Sequence, residues 1–454
     1  MKSIWWIRRD LRLTDNAALH AALEVGPVIP VFILDPAFDN SSARRKDFLY
    51  EGLHTIDRDL RARGSYLVLH KGRPAKTLGQ LLWETNSEAI HAEEDFTPYA
   101  VRRDQEVARH LPLHLIHGQT AHYPNAILKT DGTPYTVYTP YSKAWKKKIL
   151  SSLILYSAPE KIDTPAGIQS EPLPSFKVSP LFTSGEQEAL ARLDEFIHRR
   201  IYSYAEERNQ MDRNGTSSLS PYLHFGMLGM RQAVHAARQA TVEARSEISK
   251  RSAEVWLNEL IWREFYIQIM FHFPYVSRTA FNRSLANIEW VNDEARFEAL
   301  KAGRTGVPIV DAAMRQLREI GWMHNRARMI AASYLVKDLL IDWRWGEAWF
   351  MENLLDGDQA ANNGGWQWTA GTGTDAAPYF RIFNPVLQSI KFDPNGEYIR
   401  RWVPELRTLD SKVIHAPWEK GIKVKGYPQS PLVERDKERT LLAYQQSRLR
   451  MEKV

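Results

Sequence analysis

The sequence predicts a doubly wound, largely parallel α/β domain followed by an all-helical domain. Three observations lead there. In the first third, short β-branched or aromatic runs alternate with stretches of helical periodicity, the pattern of repeated strand–helix units around a parallel sheet. From 159 to 183 the chain becomes rich in proline, serine and threonine and loses periodicity, as a connecting segment does. From 186 onward helical periodicity returns with little strand pattern. At 454 residues the chain exceeds what one core usually supports. The expected division is 1–130 for the α/β domain, 131–190 for the linker and 191–454 for the helical domain.

The runs at 3–7, 28–34, 66–69, 89–92 and 113–116 read as strands, and 17–24, 43–63, 74–85 and 100–110 read as the helices between them. After the first strand stands Arg8-Arg9-Asp10-Leu11-Arg12 rather than a glycine-rich turn, so the usual dinucleotide fingerprint is missing and the fold alone assigns no cofactor. Further on, 186–198, 231–241, 249–271, 293–302, 308–320, 325–340, 345–355 and 434–453 carry helical periodicity, punctuated by glycine and proline. Ala312, Ala313, Leu317 and Ile320 form the apolar stripe of a packed helix. The stretch 356–368, with Asn362-Asn363-Gly364-Gly365 at its centre, reads as a loop where backbone approaches a ligand closely.

Composition narrows the function. Lysine and arginine number 60 against 54 acidic residues, a formal charge of +6 that suits an ordinary basic enzyme as well as a nucleic-acid partner. With no cysteine, disulfides, thiolate metal sites and cysteine-held clusters are excluded. The 14 histidines lack ligand spacing, so no metal is expected. The apolar run at the start is too short for a signal peptide, and no stretch is long enough to span a bilayer; a soluble, cytoplasmic protein is expected. Walker and nucleophile-elbow motifs are absent.

Three constellations suit a phosphorylated aromatic cofactor. Gly215-Thr216-Ser217-Ser218-Leu219-Ser220-Pro221 is a hydroxyl-rich turn with Ser220 placed to cap a helix beginning at Pro221, fit for a pyrophosphate or simply a serine-rich cap. Asn325 and Arg328 share a helical face, with Arg326 pointing elsewhere. Asp356-Gly357-Asp358 precedes the paired asparagines and the two indoles Trp366 and Trp368. Separately, Glu259, Trp262, Arg263 and Tyr266 recur at three- and four-residue spacing on one helix side, able to stack on a base and bond its edge, or to pack and pair among themselves. Arginines at 208, 213, 326, 381, 400 and 401 interleave with aromatics and amides, a pattern that suits a distorted duplex or an extruded base and equally an ordinary solvated surface. A site this poor in acid–base groups fits redox or radical chemistry better than hydrolysis.

The ordered set Trp6–Arg12, 259–266, 306–311, 322–329, 356–368 and 372–385 resembles the photolyase and cryptochrome family, specifically class I cyclobutane pyrimidine dimer DNA photolyases, over nearly the whole chain. The resemblance implies an α/β antenna domain and a helical FAD-binding domain. It puts FAD contacts on Tyr204, Thr216, Ser217, Ser218, Leu219, Ser220, Trp256, Arg263, Asn325, Arg328, Asp356, Asp358 and Asn362, with Asn362 near flavin N5. Trp366, Trp343 and Trp290 match the family's electron chain, ordered from flavin to surface. Glu259 matches the residue that bonds the lesion's base edge. Trp262 and Trp368 would flank its bases, Met329 would touch the same pocket, and Arg208 and Arg326 would bind DNA. The activity implied is light-driven electron transfer from reduced FAD to a dimer in UV-damaged DNA, flipped out of the duplex because a stacked base is beyond the reach of an active site.

Two rivals share this scaffold. A cryptochrome-type photoreceptor fits less well, since the repair pocket is present and no signalling tail is expected after the last helix. A (6-4) photolyase uses a histidine-rich pocket where this chain has Trp322-Met323-His324-Asn325-Arg326. For the antenna, the segment 93–104 departs from the folate-binding pattern with its Asn-Glu pair and is closer to chains using 8-hydroxy-5-deazaflavin or FMN, with Arg45, Asp95 and Arg103 as candidate contacts or as members of a salt-bridged helix. A monomer without an obligate protein partner is expected.

Overall fold

The computed structural model describes residues 1–39, 41–148, 153 and 155–451, so positions 452 and 453 of the last expected helix lie outside the described residues. The chain forms two compact units: Met1–Ala205 with Ser217–His272, and Glu206–Thr216 with the chain from Phe273 onward.

In the first unit, β1 (Ser3–Ile7), β2 (Val28–Leu34), β3 (Val68–Lys71), β4 (Ala89–Glu93) and β5 (Leu113–Ile116) form a parallel sheet in the order β3-β2-β1-β4-β5. β1 is buried at every residue, as a central parallel strand covered on both faces must be, and its Trp5 lies opposite Pro30 and His91. The crossovers carry α1 (Ala17–Val25), α2 (Ala43–Arg61), α3 (Pro74–Thr85) and α4 (Pro98–Ala108). α1 starts where Asn16 accepts the Leu19 amide, and α4 where Thr97 accepts that of Ala100, each cap fixing where its helix begins after the preceding strand. The strand order reverses between β1 and β4, so a crevice is expected beyond their carboxyl ends.

Six more helices follow among the described residues: α5 (Tyr138–Lys148), α6 (Glu186–Arg199), α7 (Tyr204–Glu207), α8 (Ser220–Phe225), α9 (Met230–Glu243) and α10 (Glu247–His272). α5 is a correction to the sequence reading, which found no element there; its lysine-rich end hides the periodicity that Tyr141 and Trp145 supply. α10 packs on α9 and α5, and its Glu264 ties the layers together. That carboxylate is fully buried and accepts from Trp145 Nε1 at 2.6 Å and from the Ala121 and His122 amides. Burial pushes it up to about 7 against those three bonds.

The second unit holds α11 (Glu294–Lys301), α12 (Pro308–Ile320), α13 (Asn325–Ser333), α14 (Trp343–Asn353), α15 (Gln359–Ala370), α16 (Pro385–Phe392), α17 (Glu397–Trp402) and α18 (Lys437–Met451). One apolar core runs through it from Leu300 through Met314, Ile330 and Phe350 to Ile414.

Two expectations fail here. The helix expected over 325–340 is α-helical only to Ser333; residues Tyr334–Asp338 form a π turn. The widened turn seats two buried polar groups: Lys337 donates to the Ala370 and Tyr379 carbonyls at 2.9 and 3.3 Å, and Asp338 accepts from Arg435 at 2.7 Å. The loop expected at 356–368 is mostly the helix α15. Asp358 starts it by accepting the Ala360 and Ala361 amides, both at 3.1 Å, and that cap helps offset two interior glycines of low helix propensity.

Candidate active site

In the first unit, the candidate FAD residues cluster around α8 and α10. Trp256 is buried, its Nε1 donates to Ser217 Oγ at 3.3 Å, and its ring packs on Phe196, which also meets Tyr204 edge-on at 5.7 Å. Ser217 therefore accepts from the indole and keeps its own hydroxyl proton to donate. Ser218 adopts a left-handed backbone at φ +50, which turns the chain sharply ahead of α8. The helix begins at Ser220 itself, with Leu219 in the cap position and no side-chain cap, so the capping role expected of Ser220 is not what the turn uses. Arg263 points back to the Leu223 carbonyl at 3.5 Å.

On the same α10, Glu259, Trp262, Arg263 and Tyr266 are all half-buried, while Leu260, Ile261, Glu264 and Phe265 between them are buried. The helical spacing read from sequence thus marks one partly exposed side. Trp262 lies flat on Tyr138, with centroids 3.6 Å apart and planes 4° from parallel.

At the carboxyl ends of β1 and β4, two of the three antenna candidates, Asp95 and Arg103, meet a buried charge network. Asp95 lies 3.6 Å from Arg9, and Arg103 pairs with Asp104 at 2.8 Å. Arg8 also reaches Asp104, and Arg8 and Arg103 lie over the Trp6 ring at 4.6 and 4.9 Å. Burial alone would raise Asp95, but Arg9 and Arg103 outweigh it and hold the carboxyl below its ordinary value. Arg45 is half-buried on the first turn of α2. Glu93, at the end of β4, is driven up to about 7 by burial despite its ion pair with Arg12.

In the second unit, Arg328 is clamped. Its Nη2 donates to both Asp356 oxygens at 3.1 and 2.8 Å, and its Nε to the Met323 carbonyl at 2.8 Å. Asp356 is buried and Arg328 is not, so the fixed guanidinium keeps one accessible edge. Asp358 is buried as the cap of α15. Asn325 is exposed on the first turn of α13. Arg326 leaves that face, as its spacing predicts, to donate to Asn209 at 2.6 Å and to lie 4.3 Å over Phe392; Met329 touches it. Arg208 and Thr216 are half-buried in the same unit.

Along α15 the side chains divide by face. Asn362 donates its amide to the Glu347 carbonyl at 3.0 Å, which leaves its side-chain oxygen to accept. Asn363 and Gln367, one turn apart, both donate to the Val276 carbonyl, and Asn363 also reaches the Glu347 carboxylate at 2.9 Å. Trp366 is buried edge-on against Phe350 at 4.8 Å, and its Nε1 has no hydrogen-bond partner among the described residues. A Cβ at Gly346 would stand 2.1 Å from the Trp366 ring, so only glycine leaves room for this indole. Trp368 is half-buried on another side of the helix. Trp343 belongs to the same core cluster as Trp366, and Trp290 packs against that cluster and meets Tyr444 edge-on at 6.0 Å.

The family models for DNA photolyase and for the FAD binding domain of DNA photolyase match residues 3–165 and 256–446. The deoxyribodipyrimidine photo-lyase of a Synechococcus species is 41% identical over 95% of this chain and 93% of its own. This chain belongs to the DNA photolyase family. Among solved photolyases, a bacterial class III enzyme from Agrobacterium tumefaciens superposes with a TM-score of 0.91 at 37% identity, covering 99% of this chain and 98% of its own. An archaeal photolyase from Sulfolobus tokodaii, solved with two FAD molecules, gives 0.84 at 32% identity with both chains fully covered.

Within this photolyase scaffold, three residues at the candidate site escape a reading of the sequence: Tyr138, Glu264 and Glu347. Tyr138 and Glu264 act through partners many residues away. Glu347, an acid four residues past Trp343, does give a local signal in its unusual company of indoles. Burial lifts Glu347 to about 7, with Asn363 pulling it down and Asp342 pushing it up.

Proposed function

We propose that this chain repairs cyclobutane pyrimidine dimers in DNA with light, using FAD. The observation that carries the reading is α15. A single helix fixes Asn362 by its amide nitrogen, buries Trp366 one turn later, and leaves Trp368 half-exposed on another side. FAD, when bound and reduced, supplies on excitation the electron that splits the lesion's cyclobutane ring.

The residues fit that group. Ser217 retains a hydroxyl proton for a phosphate oxygen, Thr216, Ser218, Ser220 and Tyr204 complete the hydroxyl-rich set, and Leu219 adds its backbone. Arg328, oriented by Asp356, offers a planar cationic edge, and Asp358 caps the helix that follows. Asn362 presents an acceptor oxygen, suited to an N–H at the ring's reactive edge. The Trp366 Nε1 is a buried donor left unsatisfied among the described residues. Trp256, Arg263 and Asn325 complete the set we assign to FAD.

Trp366, Trp343 and Trp290 relay electrons inward from the surface: Trp366 and Trp343 are buried in one core, and the partly buried Trp290 packs against it. Glu259 bonds the lesion's base edge, Trp262 and Trp368 flank its bases with Met329, and Arg208 and Arg326 meet the DNA backbone, whose contacts make binding salt-dependent. Residues 1–130 hold the antenna, 8-hydroxy-5-deazaflavin or FMN rather than folate, at Arg45, Asp95 and Arg103. Residues 131–190 connect it to the catalytic part, 191–454. The protein works as a cytoplasmic monomer; among its described residues no helix is long and apolar enough to cross a membrane.

Replacing Trp366 by Phe separates the roles. Photoreduction of oxidised FAD, followed by absorption, is expected to drop at least about tenfold, while repair by chemically reduced enzyme stays within about twofold. Undiminished photoreduction in that variant contradicts the relay.

A further inference from the structure

We infer that Tyr138 is a positioning residue for lesion recognition, holding the Trp262 indole as a preformed stacking platform. The inference rests on the reading of Trp262 as a lesion contact.

Aromatic pairs ordinarily prefer offset or edge-on geometry over a face-to-face sandwich. Tyr138 and Trp262 nevertheless lie at 3.6 Å and 4°. The cause is a second tether: the Tyr138 hydroxyl donates at 2.8 Å to the Asn258 carbonyl, one helical turn before Trp262. That carbonyl is also the intrahelical acceptor for the Trp262 amide, so the phenol is registered to the same turn that carries the indole. Phe265, fully buried, stands edge-on to both rings, at 5.8 Å from Tyr138 and 5.5 Å from Trp262. Tyr266 leans on the indole at 5.5 Å and 34°.

The indole is thereby covered on one face by Tyr138, blocked at an edge by Phe265, and still half-exposed. A planar group approaching it must use the remaining face. An extruded dimer has lost the 5,6 double bonds of its pyrimidines and stacks poorly, so it gains more from a wall already fixed than from one that must be ordered on binding. Tyr138 opens α5, which packs on α10, so the platform is supported by the helix pair and not by a loose loop.

The test uses the flavin-loaded protein and a short duplex with or without one cyclobutane thymine dimer. Tyr138→Leu is expected to weaken dimer binding about three- to tenfold while undamaged DNA binds as before, and Tyr138→Phe, which keeps the ring but loses the tether to Asn258, to fall between Tyr138→Leu and wild type. In a Trp262→Ala background, itself weakened about tenfold or more, Tyr138→Leu should add nothing, because its effect passes through the indole. An equal further loss in that background means a general structural role and overturns the proposal, as does wild-type dimer binding by Tyr138→Leu. If Trp262→Ala itself binds the dimer normally, the reading of Trp262 fails and the proposal with it.

Discussion

Glu347 shows how a single residue couples the site to pH. Its carboxyl is raised from an ordinary 4.5 to about 7, chiefly by burial, and it receives the Asn363 amide. A carboxyl whose folded value lies above its unfolded one holds its proton more tightly when folded. Its contribution to stability is therefore complete below about 4.5 and is lost as pH rises through 7. Glu347→Gln keeps the acceptor for Asn363 without the charge. Relative to wild type it should gain stability steadily between pH 5 and pH 8, read from urea midpoints, by up to roughly 3 kcal/mol. A difference between variant and wild type that does not change with pH contradicts this, and comparing the two cancels the other buried acids. At this scale the sequence displays which residues carry chemistry but not what holds them. Arg328 and Asp356 are visible as a basic and an acidic residue 28 positions apart that could pair; the two-oxygen geometry of that pair comes from the fold. Tyr138 and Trp262, far apart along the chain, leave no local mark of their stacking at all.

Among the elements, α15 departs furthest from its sequence expectation. Paired glycines argue for a loop because each costs a helix interior about 1 kcal/mol. They are tolerated because Asp358 caps the start, Gly371 in a left-handed conformation ends it, and Trp366, Gln367 and Ala370 are buried along it. Gly365 lies inside the helix yet meets nothing: a Cβ built there finds no atom within 4 Å. Gly365→Ala should then stabilise the flavin-free protein by about 1 kcal/mol in thermal or urea unfolding. The close backbone approach expected from the paired glycines further predicts that it weakens flavin or lesion binding. Loss of stability in the flavin-free variant contradicts the helical account, and unchanged flavin and lesion binding contradicts the close approach. Similar physics explains the expected helix that breaks at Tyr334: periodicity continues through Lys337 and Asp338, but those two polar groups need the wider turn to reach Ala370, Tyr379 and Arg435.

Across the whole molecule, legibility tracks how local the determining forces are. The sheet is legible almost to the residue: three of the five strands have the expected bounds, because buried parallel strands are short unbroken apolar runs between turns. The later part is legible as helical, but α5, α7, α16 and α17 are not, since short helices with charged or aromatic surfaces owe their stability to packing. Function is legible because the residues that meet a cofactor or lesion are constrained in type and order, which a sequence displays directly. The measurement that tests the central claim most directly is repair by the purified protein with fully reduced FAD, on an oligonucleotide bearing one lesion. Under near-ultraviolet light a cyclobutane thymine dimer should revert to two thymines, with no reversal in the dark and none of a (6-4) photoproduct under either condition. A cyclobutane dimer left intact in the light, or reversed equally in the dark, would contradict the account.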